Sequence, residues 1–202
     1  MNVRIQFPLT FTAGIFYDNQ LQMNSYMLKL YMITNSIDGN VSNIAFDRIK
    51  HFIYNEIESS IFINSIYKEQ CELYNNAGIK ITTLPGDPVD QLIGIMLQYK
   101  LTAITEGKLI IAEIEISSNL GDGLIYMHAE GENIADLTVP EWWQTPDLIH
   151  CDHDLINSEK ILAIHQNSIW RDLDLVWPND DKSEQNENTV FFADFKKIDE
   201  TE

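Results

Sequence analysis

Apolar and polar residues alternate from the start of the chain. Val3, Ile5, Phe7, Leu9, Phe11 and Ala13 take one side of a two-residue period, and Arg4, Gln6, Thr10 and Thr12 take the other. That period predicts a strand with one buried face. The turn residues "YDNQ" (17–20) interrupt it. A second strand over about 21–34 places Tyr26, Leu28, Leu30 and Met32 on one face, and the two strands predict an antiparallel hairpin with a somewhat long turn.

The period then changes. After the loop-forming stretch 35–43, Ala45, Phe46, Ile49, Phe52, Ile53 and Ile57 recur at helical spacing, with Asp47, Arg48 and Lys50 expected outside. This predicts a helix over about 43–58, capped by Ser42 or Asn43. Residues 77–84, "AGIKITTL", suggest a short extended segment ending at Pro85. In "GDPVDQLIGIMLQYKL" (86–101), Asp87 suits an N-cap, Pro88 the first helical position, and Asp90 the positive end of the helix dipole. Val89, Leu92, Ile93 and Met96 form an apolar stripe that Ile95, Leu97 and Tyr99 widen, so this second helix should be well buried.

Two further strands are expected at about 108–117 and 123–129, joined by "SNLGDG". In the first, Ile110, Ala112, Ile114 and Ile116 alternate with Glu113 and Glu115. The order β-β-α-α-β-β, with at most one minor strand between the helices, predicts an α+β layer: an antiparallel sheet with two helices on one face. A carboxylate at the end of a strand, Glu115, followed by Ser117 and a glycine turn, is open to two readings. It is either part of a solvated strand face or an anchor for a ligand.

Past residue 130 the periodicity fades. Residues 1–130 are expected to form one domain, and 131–202 a C-terminal extension with an acidic tail, too poor in periodic elements for a core of its own. "EWW" and "IWRDLDLVW" carry Trp142, Trp143, Trp170 and Trp177, which suits packing of the extension on the core or an interface. "TVFFADF" (189–195) could add a strand or pack as an arm. In "HCDHD" (150–154), His150 and His153 are weak candidates for metal ligands, because the spacing matches no strong zinc pattern.

Composition narrows the function classes. A chain of 202 residues with 45% hydrophobic content can bury a core. A net charge of −18 argues against nucleic acid and against anionic membranes as partners. No apolar run approaches the roughly 20 residues needed to cross a bilayer, and the N-terminus lacks a signal-peptide block. Two distant cysteines, Cys71 and Cys151, fit a reducing cytoplasm rather than a disulfide framework. The abundance of Asn, Ile and Asp fits an AT-rich coding genome, such as that of a phage or a marine bacterium. There is no glycine-rich phosphate loop and no nucleophile elbow.

The order of elements and three local words resemble the tunnelling fold, in particular the 6-pyruvoyl-tetrahydropterin synthases and the 6-carboxy-tetrahydropterin synthases. The words are "NIAFDRIKHFI" entering the first helix, "TTLPGDPVDQLIGIML" entering the second, and "EIEISS" closing a strand, within residues 3–129. The resemblance implies a homo-oligomer in which sheets join edge to edge around a tunnel. It also implies that Glu115, aided by Glu113 and Ser117, binds the 2-amino and ring N–H groups of a pterin- or purine-like molecule. A carboxylate can accept both donors as a charge-assisted pair.

The departures from that family are large. Its zinc is held by three histidines, and the matching places here are around Ile15, Gln22 and Asn24; the first histidine of the chain is His51. The hairpin cysteine is missing, and the word carrying the family's Asp-His pair corresponds to "SSIFIN". No cofactor and no synthase activity are therefore expected. Two other classes stay open. One is an enzyme of this fold using Glu113, Glu115 or His128 as acid–base groups. The other is a structural or interaction protein, plausible for a virus, that uses the fold as an assembly scaffold.

Overall fold

The computed structural model describes residues 3–34, 39–132, 137–148 and 168–178. A six-stranded sheet in the order β4-β3-β1-β2-β5-β6 organises them. β1 (Val3–Tyr17) and β2 (Gln20–Thr34) form a long antiparallel hairpin. Its turn is tight rather than long. Tyr17 pairs with Gln20, and Asp18 and Asn19 between them both have positive φ, 50° and 58°. Two left-handed residues twist the chain in the sense that the strands require, and Asp and Asn tolerate that conformation better than most residues.

β5 (Ile110–Ser118) adds to β2, and β6 (Tyr126–Ala129) adds to β5, both antiparallel. A bulge opposite Tyr31 and Met32 leaves Ala112 as the extra residue of β5. It corrects the expected phase of this strand. Ile114 and Ile116 are buried as expected, but before the bulge the buried residue is Ile111, while Ile110 and Ala112 are half-buried.

α1 (Gly39–His51), continued by a π-helical turn (Phe52–Ile57), and α3 (Asp90–Thr105) lie on one face of the sheet. The α+β architecture of β-β-α-α-β-β, two helices over one sheet face, is thus present, with three additions between α1 and α3. β3 (Ile61–Asn64) runs parallel to the end of β1, β4 (Ile81–Leu84) runs parallel to β3, and α2 (Lys68–Asn76) joins them. Phe62 joins the main core, whereas Ile61, Ile63 and Ile81 form a second cluster with Phe16 and Cys71. Strand alternation therefore puts α2 on the opposite face, at the parallel edge only.

Helix boundaries differ from expectation. α1 begins at Gly39, so Ser42 and Asn43 lie inside its first turns and do not cap it. The residue capping α3 is Val89, in extended conformation, rather than Asp87, and Asp90 opens the helix. Arg48, expected outside, is 2% exposed.

Along β1, Thr12 and Gly14 direct their N–H groups away from β2, to Glu58 Oε2 (3.0 Å) and Ser60 O (2.8 Å). By the two-residue period Pro8 faces the same side, where β3 does not reach, so its missing N–H costs no ladder bond. No helix of the described residues is long and apolar enough to cross a membrane.

Candidate functional site

The sheet face away from α1 and α3 carries a polar cluster. Register places Lys29 directly opposite Glu115, and Tyr31 opposite Glu113. Lys29 Nζ donates to Glu115 Oε2 at 2.8 Å, and the Tyr31 hydroxyl, two pairs along the ladder on the same face, donates to Glu115 Oε1 at 2.5 Å. The Glu115 side chain is 15% exposed. These donors, Lys29 first and then Tyr31, hold the Glu115 carboxyl below its ordinary range, and the carboxylate in turn raises the pKa of both Lys29 and Tyr31. Glu115 is thus ionised and fixed in place. Each of its oxygens retains acceptor capacity, because a carboxylate offers about four lone-pair sites.

Beside this cluster on the same face is a shallow groove of about 450 Å³. Hydroxyls line it: Thr10 and Thr12 from β1, Ser25 from β2 and Ser117 from β5, whereas the Ser118 hydroxyl turns to the helix side and donates to Asp90 Oδ2 at 2.7 Å. Glu58 closes one side through its bond to the Thr12 N–H. The structure therefore gathers Glu113, Glu115 and Ser117 on one face. It adds Lys29, Tyr31 and the hydroxyls, which no reading of single strands could select because they become neighbours only through register.

His128 is elsewhere. Opposite Ile114 on β6, it faces the helix side of the sheet, and its Nδ1 lies 3.3 Å from Glu132 Oε2. No chemistry can join it to Glu115 across the sheet. The metal position that the family resemblance implies does not fit zinc. Ile15 pairs with Gln22 and Ala13 with Asn24, and these side chains offer no imidazole or thiolate. Gln22 bonds Gln20, and Asn24 accepts the Leu120 N–H at 3.2 Å. Among the described residues no cluster of three His, Cys, Asp or Glu side chains could hold a metal ion. His150 and His153, like "TVFFADF", lie outside the described residues.

Two buried cations tie the tryptophan segments to the helix layer, an arrangement with no sequence signal. The Arg48 guanidinium lies 4.7 Å from the Trp170 ring centre and 4.1 Å from that of Trp177. It donates to Leu175 O, Ile104 O and Glu106 Oε1. Lys100 Nζ donates to Trp142 O (2.7 Å) and Thr145 O (2.9 Å). All four tryptophans belong to the main buried core.

No family model matches this chain, and no curated protein matches it. Among solved structures it is similar to an uncharacterised protein from Wolinella succinogenes (TM-score 0.47, 8% identity, 64% of this chain and 99% of that one). It is also similar to a catalytic-residue mutant of Plasmodium vivax 6-pyruvoyltetrahydropterin synthase (TM-score 0.42, 9% identity, 63% and 97%). The Plasmodium falciparum 6-pyruvoyl tetrahydropterin synthase has a TM-score of 0.42, 15% identity, and coverage of 63% and 96%. The order seen here, a hairpin, two helices on one face and a second hairpin in the same sheet, resembles the tunnelling fold. The likeness is one of architecture, and no chemistry is carried over with it.

Proposed function

We propose that this chain is a non-zinc, self-associating protein of tunnelling-fold-like architecture that binds a pterin- or purine-like molecule on the open sheet face. The observation that carries this reading is the Glu115 carboxylate, held ionised by Lys29 and Tyr31 beside a hydroxyl-lined groove. A 2-amino-4-oxo ring brings two parallel N–H donors to such a carboxylate, and the neighbouring Thr and Ser hydroxyls suit its ring heteroatoms and side-chain hydroxyls. No synthase chemistry is proposed, because among the described residues this face carries neither an imidazole base nor a thiol nucleophile.

The test is calorimetric titration of neopterin, guanine and adenine into wild type and Glu115→Gln. Neopterin or guanine should bind better than adenine, whose edge presents the wrong donor pattern. The substitution should weaken binding by about tenfold to a few hundredfold while the protein stays folded, since each charge-assisted bond contributes roughly 1.5–3 kcal/mol. Absence of binding in the wild type, or no effect of the substitution, would reject the reading.

A second reading has an observation of its own. Both Glu115 oxygens already accept a bond within the chain, so the cluster is also a complete cross-strand brace. On that reading the fold is a scaffold for assembly, and none of the three compounds binds.

A further inference from the structure

A second cavity, of about 280 Å³, lies between α3 and β6 on the opposite face of the sheet from Glu115. Its walls are apolar where they meet the core: Ile95 of α3 and Ile114 and Ile116 of β5. Two rings, Tyr126 and His128, line it from β6, and Glu132 reaches it from the chain just after β6. The close approach of helix and sheet here depends on Gly94, where a Cβ would stand 2.7 Å from Ile116 Cγ2.

The polar side of this cavity is organised. His128 Nδ1 is paired with Glu132 Oε2 at 3.3 Å, and the His128 side chain is largely buried. The Tyr99 ring lies 6.5 Å from that of His128, and the Trp143 ring 6.3 Å from that of Tyr99. Lys100 holds the turn carrying Trp142 and Trp143 through two carbonyls. The segment around Trp143 thus buttresses, through Tyr99, the ring that lines the cavity.

The geometry points to a binding site here for a small arylalkylamine. The volume is at the low end for ligand pockets and suits a ligand of one or two rings. The buried Ile95, Ile114 and Ile116 form the floor, and the more accessible Tyr126, Met127 and His128 offer apolar and ring contacts to the flat body of the ligand. The Glu132 carboxylate supplies the acceptor for an ammonium or N–H group. Among the described residues no Lys or Arg lines the cavity, and the chain carries a net charge of −18, so an anion of the same shape is disfavoured.

The experiment uses the full chain with methyl-labelled isoleucine, titrated with phenethylamine, tryptamine and, as the anionic counterpart, phenylacetate. The methyl resonances of Ile95, Ile114 and Ile116 should shift saturably with the amines and not with phenylacetate. Glu132→Gln, at an exposed position, should weaken the amines by about tenfold or more, the loss of one charge-assisted contact. Gln91→Trp, which places a ring at the cavity lining from an exposed helix position, should abolish the shifts with the other methyl resonances unchanged. Glu115→Gln should leave them intact, so this site and the Glu115 face succeed or fail separately. Three results would overturn the assignment: no movement of these methyls at millimolar amine, equal binding of phenylacetate, or an unaltered affinity in Glu132→Gln.

Discussion

Lys100 is a fully buried cation whose two bonds go to uncharged carbonyls, and that choice of partners has a pH consequence. Burial lowers its pKa from 10.5 to about 8, with the charge of Asp147 opposing the shift. An unfolded chain would keep the ordinary value near 10.4. The folded value is the lower one, so between about pH 8 and 10.5 the unfolded state binds more protons, and stability rises with pH across that window. Below pH 8 the full desolvation cost is present. A neutral amine still has two hydrogens, enough for the carbonyls of Trp142 and Thr145, so deprotonation breaks neither bond. Urea unfolding of wild type and Lys100→Met should therefore diverge. Relative to the variant, the wild type should gain about 2 kcal/mol between pH 7 and pH 9.5. A difference that stays flat with pH would mean that Lys100 is hydrated and the turn at Trp142 opens readily. Arg48 contrasts with it. A guanidinium does not deprotonate in this range, so its place between Trp170 and Trp177 should not respond to pH at all.

At the scale of elements, the tightest constraint is between α3 and β5. Gly94→Ala sets two effects against each other. Helix propensity favours Ala over Gly by roughly 1 kcal/mol. The added Cβ, however, would meet a methyl attached directly to the Cβ of Ile116, a β-branched side chain that cannot swing away, and overpacking of this kind costs about 1–3 kcal/mol. The expected outcome is a net loss of about 1 kcal/mol. A double-mutant cycle with Ile116→Ala should recover it, because the truncation removes the clashing methyl; additive losses would show that α3 shifts freely instead. These two elements were legible because each has a strong period: a wide apolar stripe in α3 and alternation in β5. β3 was not legible for the opposite reason. "IFIN" is buried on both faces, so it has no alternation to read. α2 has only Cys71 buried and therefore no stripe. The bulge at Ala112 shifted a period that the sequence presents as unbroken. The candidate site was half legible in the same sense. Glu115 stood out within its strand, but Lys29 and Tyr31 became its partners through pairing across 84 and 86 positions. Arg48 misled for a related reason, since its tryptophan partners lie more than a hundred residues further along the chain.

For the whole molecule the question is what the sheet does with its ends. β4 is buried on both faces and short, which blunts that edge. The open stretch of β1 before Thr12 includes Pro8, which cannot donate to an added strand. β6 is equally short, but unlike β4 it shows apolar side chains to solvent, Met127 61% exposed beside the exposed Ile125. If the chain self-associates through its sheet, β6 is therefore the edge that recruits a partner strand. Opposing this is the charge of −18, which makes any two copies repel over roughly a Debye length, about 10 Å at 0.1 M salt. These two terms predict a specific salt dependence. Sedimentation velocity at micromolar concentration should show a closed homo-oligomer whose population rises with ionic strength, opposite to what attraction between charged patches would give. Met127→Lys adds a solvated cation at the edge while slightly reducing net charge. If charge repulsion alone governed association, it would strengthen the oligomer; if β6 is the joining edge, it should weaken it. A chain that sediments as a monomer at every salt concentration would remove the tunnel from consideration and leave the Glu115 face to act within a single copy.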